Sequence, residues 1–347
     1  MASSELRAVP SERFSLVTGA AGFIGGRLVE RLVKDGRKVR VFARRVNSTL
    51  ERLRDSIDIA VGDIRDTSAV RDACRNVEVI HHLAALAKPW AKDPTEFFDI
   101  NVTGTYNVCH AAVDLGVRRL VHMSTALVCP PTGKRAATDV TRITPYQRSK
   151  VEAEAIVGSF VKNGGDAVVV RPTRVFGPGL PTAGNTVTRL IDLYRRGRFR
   201  LRIADGNARA NYVLVDDVVD GILRAEKRGM SGEAYVLGGT DCTLLEFLYA
   251  IQRAGAKPRR VFAVPQPLAH SVALAFELGG RLGFEPEISR DWVRLLSVDW
   301  PVSSAKAETE LGYEPTPLSE AVRLTLDWLR GESDTTTSSA RSGGAAA

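Results

Sequence analysis

Tyr146 and Lys150 stand four residues apart in Pro145-Tyr146-Gln147-Arg148-Ser149-Lys150, a spacing that puts both side chains on one face of a helix. An ammonium beside a phenol favours the phenolate and lowers a pKa that starts near ~10. Such a tyrosine can exchange a proton with a substrate oxygen while hydride moves at the attached carbon. A nearby hydroxyl can hold that oxygen. The run Leu120-Val121-His122-Met123-Ser124-Thr125 reads as a strand ending in two hydroxyls, of which Thr125 is the candidate. Tyr and Lys at this spacing also occur as plain surface pairs, so the meaning depends on what surrounds them.

The decisive neighbour lies near the N-terminus. Thr18-Gly19-Ala20-Ala21-Gly22-Phe23-Ile24-Gly25 follows the apolar run Phe14-Ser15-Leu16-Val17 and precedes an amphipathic stretch through Val29, Leu32 and Val33. A glycine turn from strand to helix offers close backbone approach, free N–H groups and a partial positive charge, which suit a dinucleotide pyrophosphate. Gly19, Gly22 and Gly25 take the three glycine roles at G-x-x-G-x-x-G spacing, with Phe23 and Ile24 beside them. The next strand ends at Ala43 without the acid that usually marks NAD sites. Arg44 and Arg45 follow it, and a guanidinium can pair with a 2′-phosphate. Arg44, nearer the strand end, favours NADP over NAD; the alternative is two solvated arginines.

Further candidates follow in order. Asp63 could accept from an adenine amino group with Ile64 on the ring, although a turn aspartate is the plain alternative. The small residues of Leu83-Ala84-Ala85 let the backbone approach the cofactor. His81 and His82 read as strand-end packing residues, with no third ligand at metal-site spacing. Asn101 is either a surface or capping residue or a hydrogen-bonding group near a nicotinamide.

Short β-branched runs at 14–18, 38–43, 57–61, 77–82, 118–123 and 166–171 alternate with helical stretches near 23–35, 67–75, 95–115 and 146–162. That alternation predicts βαβ units in a doubly wound parallel sheet, with ligands at the C-terminal strand ends. The expected organisation is a flexible N-terminus (1–12) and a dinucleotide-binding domain (13–172). A mainly substrate-binding portion (173–330) with interleaved sheet elements and a disordered polar tail (331–347) complete it.

Of the 347 residues, 44% are hydrophobic and 25% charged, as in ordinary globular proteins. No run approaches the ~20 apolar residues of a membrane span. The four cysteines are far apart without a C-x-x-C pair, which suits a reducing cytoplasm and points to no metal site. The net charge of +8 is spread through short groups. With no nucleic-acid motif it reads as solvated surface rather than a nucleic-acid face.

Taken together, the motifs resemble the extended short-chain dehydrogenase/reductases over roughly residues 14–330. The resemblance rests on the 18–25 turn, Gly62-Asp63, His82-Leu-Ala-Ala85, Asn101-Val-Thr-Gly104, Thr125, Tyr146-Gln-Arg-Ser-Lys150 and Arg171-Pro-Thr-Arg-Val-Phe-Gly-Pro-Gly179. It implies a Rossmann-type α/β fold and Tyr146 as acid/base. Lys150 would hold the nicotinamide ribose, with Thr125 as hydroxyl partner and Pro172-Thr173 facing the nicotinamide. It also implies a homodimer pairing the helices near 95–115 and 146–162.

Within that superfamily, sugar-nucleotide enzymes typically carry an arginine two residues before the aromatic of a motif that here reads Ala210-Asn211-Tyr212. Ala210 occupies that place and Arg209 lies one residue early. The stretch looks more like the 3β-hydroxysteroid dehydrogenase and dihydroflavonol reductase side. The apolar segment Val272–Leu278 resembles a lid in the former, or else packs on the protein's own core. Glu277 and Arg281 interrupt it as a membrane-contacting surface. The expectation is an NADP-dependent (or NAD-dependent) oxidoreductase acting on a secondary alcohol or ketone of a bulky apolar small molecule. The alternatives are an NDP-sugar epimerase or dehydratase, and a cofactor-sensing regulator, which usually lacks the tyrosine or lysine present here.

Overall fold

The computed structural model describes residues 13–88, 90–131, 144–179, 185–281, 283, 286 and 288–342; the expected N-terminal segment 1–12 lies outside them. Its strands are β1 (Phe14–Thr18), β2 (Val39–Ala43), β3 (Ile57–Val61), β4 (Val77–His82), β5 (Arg119–Met123), β6 (Ala167–Pro172), β7 (Arg174–Phe176), β8 (Leu201–Ile203), β9 (Arg209–Leu214), β10 (Ala234–Leu237), β11 (Thr240–Thr243) and β12 (Phe262–Val264). The helices are α1 (Phe23–Lys34), α2 (Ser48–Arg52), α3 (Thr67–Ala73), α4 (Thr95–Phe98), α5 (Gly104–Asp114), α6 (Pro145–Lys162), α7 (Thr186–Arg195), α8 (Val215–Arg228), α9 (Leu244–Arg253), α10 (Gln266–Arg281), α11 (Arg290–Leu295), α12 (Ala305–Leu311) and α13 (Leu318–Ser342).

Seven strands form one sheet in the order β10-β6-β5-β4-β1-β2-β3, every neighbouring pair parallel. Its central strands are apolar runs because helices cover both faces. Leu28 and Val29 of α1 and Val218 and Ile222 of α8 pack on one face. Val70 of α3, Val108 of α5 and Val157 of α6 pack on the other. The chain order reverses between β1 and β4, and a crevice opens there at the strand ends, where doubly wound sheets bind ligands. β10 returns to this sheet after the smaller elements have begun, so the C-terminal portion is interleaved with the large sheet.

The smaller part contains the sheet β11-β9-β7 and the ribbon β12-β8. Residues of α7, α9 and α13 bury Phe176, Tyr212 and Phe247 against the first. α10 and α11 pack against the second through Ala269, Ala273 and Val293. The expectation of a polar tail from Gly331 needs correction up to residue 342: α13 continues to Ser342. An interior glycine costs a helix about 1 kcal/mol without ending it.

One contact sets the relation of β1 to α1. A Cβ on Gly25 would stand 2.2 Å from the Gly19 carbonyl oxygen, and one on Gly19 (φ +72°) 2.6 Å from the Ala84 nitrogen. Gly25→Ala should therefore push the helix start off the strand end. The expected cost is about 3 kcal/mol, read as a lower urea midpoint; an unchanged midpoint would contradict the close approach.

Candidate active site

The helix carrying Tyr146 and Lys150 has a fixed start. Thr144 caps α6 by accepting from the Gln147 N–H at 3.1 Å, while Gln147 Oε1 accepts from the Thr144 N–H at 3.1 Å. Pro145 occupies the first turn, where its missing N–H costs nothing. Gln147 Nε2 also donates to the Leu127 carbonyl at 2.9 Å, tying the helix to the segment after Thr125. Tyr146 enters the cleft one residue after that proline, with Phe97 packed edge-on at 6.3 Å between ring centroids.

The Thr125 hydroxyl acts on the Tyr146 phenol in the direction that favours its ionised form, and Lys150 Nζ donates to the Met123 carbonyl at 2.7 Å. Burial pushes the Tyr146 phenol up to about 12, against the opposing effect of Thr125. Burial pushes Lys150 down to about 8, while Glu154 pulls it back. This corrects the expectation that the ammonium favours the phenolate here. Desolvation outweighs it, and the phenol stays neutral at physiological pH. Glu154 is itself clamped by Arg171, with nitrogen–oxygen distances of 3.0 and 2.6 Å.

Asn101 lies at the centre of a π-helical turn, Asp99–Thr103, between α4 and α5. The continuous helix expected over 95–115 is thus interrupted. Asn101 is fully buried and turned away from the cleft: its Oδ1 accepts from the Leu86 N–H at 2.7 Å and its Nδ2 donates to Ser149 Oγ at 2.8 Å. Ser149 Oγ in turn donates to the Tyr146 carbonyl at 2.8 Å. On the other side, Thr105 Oγ1 donates to the Asn101 carbonyl at 2.6 Å and meets His82 Nε2 at 3.1 Å. His82 Nδ1 meets Thr18 Oγ1 at 2.8 Å, and that hydroxyl accepts from the Ala84 N–H at 3.1 Å. With each hydroxyl donating once, His82 carries its proton on Nε2. His81, one residue earlier, lies within 2.9 Å of Glu226 on the sheet's other side.

A cleft of about 1320 Å³ runs across these elements. Gly19, Gly22, Phe23, Ile24, Gly25, Arg44, Leu83, Ala85, Thr125, Tyr146, Lys150, Pro172 and Thr173 all line it. Gly22 precedes α1 without a side-chain cap, and no acid occupies the first turn, so the helix N–H groups face the cleft unopposed. Ala84 contributes its backbone to the hydrogen-bond run instead of the lining. Asp63 and Ile64 also lie outside the lining among the described residues. Arg65 grips both oxygens of Asp63 and holds its carboxyl down at about 2. Ile64 is buried under Gly104, where a Cβ would approach it to 2.9 Å.

At the other end the walls include Leu190, Phe199, Leu201, Val264, Trp292 and Leu295. Ala210 lines the cleft but Arg209 does not: Arg209 donates to the Asp241 carbonyl at 2.7 Å and faces Glu246 at 3.5 Å.

The profile of the NAD dependent epimerase/dehydratase family matches residues 15–238, which include the glycine turn, the Tyr146–Lys150 helix and the crevice between β1 and β4. The chain belongs to that family. It is an NAD(P)-dependent enzyme of the extended short-chain dehydrogenase/reductase type. Among its relatives, sterol demethylase protein B of Methylococcus capsulatus is 32% identical over 327 residues, covering 91% of this chain and 98% of that protein. The 3beta-hydroxysteroid-dehydrogenase/decarboxylase isoform 2 of Arabidopsis thaliana is 29% identical, covering 92% of this chain but 62% of that protein. The structure of UDP-glucose 4-epimerase from Thermotoga maritima superposes with a TM-score of 0.76, over 92% of this chain and 99% of that one. At 23% identity it speaks for the fold alone.

In this epimerase/dehydratase-family enzyme, several positioning residues were not singled out from sequence. Thr144 and Gln147 were legible as a Thr-x-x-Gln capping box. Asn211 was not: it lines the cleft and accepts from Thr173 Oγ1 at 2.8 Å and the Gly239 N–H at 2.7 Å, a meeting of three distant segments.

His82 ties the site to acid stability. Burial, with the nearby Lys150 charge, holds its folded pKa down at about 3, against about 6.5 unfolded. Below the unfolded value the unfolded chain binds the proton first. Stability is therefore full above about 6.5 and falls as pH drops toward 3. Between pH 7 and 5 His82 should remove on the order of 2 kcal/mol. Urea unfolding at the two pH values checks this, and equal stability would contradict it.

Proposed function

We propose that the protein is an NADP-dependent oxidoreductase that interconverts a secondary alcohol and a ketone on a bulky, largely apolar substrate, sterol-like or long-chain. The observation that carries this reading is the composition of the one continuous cleft. It runs from a glycine cradle and Arg44, past Thr125, Tyr146 and Lys150, into walls of Leu190, Phe199, Leu201 and Trp292. The named relatives that are a sterol demethylase protein and a hydroxysteroid dehydrogenase/decarboxylase point the same way. The NDP-sugar reading loses support because Ala210 stands where a diphosphate-binding arginine belongs, and Arg209 is held elsewhere.

The chain's residues fit a dinucleotide. A Cβ would fill the space at Gly19 and Gly25, and α1 presents uncapped N–H groups. Gly19, Gly22 and Gly25 would take the pyrophosphate, and Arg44, exposed on the cleft wall without a hydrogen bond among the described residues, the 2′-phosphate. Bound NADPH supplies the hydride. Lys150, fixed by the Met123 carbonyl, would hold the nicotinamide ribose. Thr125 and the Tyr146 hydroxyl would converge on the substrate oxygen. The neutral phenol then donates its proton as the carbonyl carbon is reduced, and the reverse direction requires its deprotonation. Leu83, Ala85, Pro172 and Thr173 would line the nicotinamide side. Asn101 acts through Ser149 and the Tyr146 carbonyl as a positioning residue, and Asp63 and Ile64 would bear on adenine only from behind the lining.

A homodimer through α5 and α6 is part of the reading, supported by the exposed apolar Tyr106, Val113 and Val151 on those helices. The four free thiols suit a reducing cytoplasm.

Tyr146→Phe should lower ketone reduction by at least about 100-fold while NADPH affinity stays within about twofold, as fluorescence titration measures; full activity would refute the assignment. Arg44→Ala should weaken NADPH by about tenfold, the value of one charge-assisted contact, and leave NADH unchanged. Equal affinity of the parent enzyme for NADH and NADPH would overturn the cofactor choice. Stoichiometric consumption of added NADPH against sterol-like ketones and long-chain β-keto acids separates this enzyme from an epimerase, which returns its hydride within one turnover.

A further inference from the structure

Helix α10 is built inside out. Its 16 residues span about 24 Å, and the side packed on the protein is made of Ala269 and Ala273 with the polar His270 and Glu277 at the cleft. Glu277 accepts from the Arg290 backbone N–H at 2.8 Å and from its guanidinium at 2.9 Å, so this carboxylate is turned inward. The expectation that Glu277 interrupts an apolar surface is thereby corrected; the Arg281 side chain lies outside the described residues. The outward side carries Leu268 (54% exposed), Val272, Leu274 and Leu278 (51% exposed). Small Ala275 and Ser271 fill the space between them. An ordinary surface helix has the opposite arrangement.

The apolar area extends onto the β8–β12 ribbon, where Leu201 and Phe262 are directly paired and each 60% exposed. The strands entering that ribbon are basic. Arg198, Arg200, Lys257 and Arg260 are all exposed and make no ion pair among the described residues. Segments 195–202 and 253–260 contain no Asp or Glu. Leu201 and Val272 are at once exposed and part of the cleft wall, so the cleft opens onto this face.

We propose that the outer face of α10 and the neighbouring β8–β12 ribbon dock on an anionic lipid bilayer. The apolar helix side would lie at the level of the acyl boundary, and the four cations would meet lipid phosphates. A second copy fits less well, because a two-fold contact through this face would bring like charges together. No helix among the described residues is long and apolar enough to cross a membrane, so the association is peripheral. Resting on the reading of an apolar substrate, the same face gives that substrate a route from lipid to cleft without crossing water.

The test is sedimentation of the full chain with vesicles of phosphatidylcholine alone, or of phosphatidylcholine and phosphatidylglycerol in equal parts. The parent should sediment with the anionic vesicles and be released by salt. Arg200→Gln with Arg260→Gln should weaken partitioning about thirtyfold, at the strength of two basic residues near an anionic surface. Leu268→Glu with Leu278→Glu, at exposed positions outside the cleft wall, should abolish it while melting temperature and NADPH binding stay unchanged. A parent that stays in the supernatant with both vesicles, or a Glu variant that sediments like the parent, overturns the proposal. So does light scattering that finds the parent dimeric through this face and the Glu variant monomeric. The readout needs no turnover, so failure of the oxidoreductase reading would leave the vesicle result standing.

Discussion

A run of buried hydrogen bonds joins the strand that carries the glycine turn to the helix that carries Tyr146 and Lys150. It passes from Thr18 through His82 and Thr105 to Asn101, then through Ser149 to the Tyr146 carbonyl. Each bond adds only about 1 kcal/mol net, yet a buried partner left unpaired costs about 1–3 kcal/mol. Because the members are fully or nearly fully buried, loosening one end strands its neighbours. The glycine turn and the helix that carries Tyr146 and Lys150 are therefore registered to each other through the protein interior.

The central sheet was legible because local signals agreed. The runs at 14–18, 57–61 and 77–82 are strands at those residues, and the other three expected strands shift by at most one residue at either end. The alternation of apolar runs and amphipathic helices imposes that pattern wherever a parallel sheet is covered on both faces. What escaped was decided by partners distant in sequence. Asn101 reads as a polar residue in an apolar helix, but its direction depends on Leu86 and Ser149. Asp63 lies two residues beyond the end of β3, and the arginine two residues on claims its carboxylate. The Tyr146–Lys150 spacing says that the two groups are near. Only their burial says that desolvation dominates the phenol.

The cleft divides its chemistry by depth. One end offers backbone N–H groups and a guanidinium, which suit phosphates; the middle holds the hydroxyls of Ser124, Thr125 and Thr173 with one phenol and one ammonium; the far end is mostly hydrocarbon, with charged residues such as Arg202, Glu277 and Arg290 among it. The fold is shared with a sugar-nucleotide epimerase, so the fold does not choose the substrate.

The π-helical turn at Asp99–Thr103 has a geometric consequence of its own. Upstream, Phe97 must face the Tyr146 ring, and downstream, Gly104 must lie flat against Ile64. In an unbroken α-helix each residue advances about 100°, so fixing one contact fixes the azimuth of the other. The wider turn acts as a phase shifter between them. Winding the same five residues as a regular α-helix would rotate α5 relative to α4 by about that angle. The sheet-facing and cleft-facing halves of this segment could then no longer both be in phase with their partners.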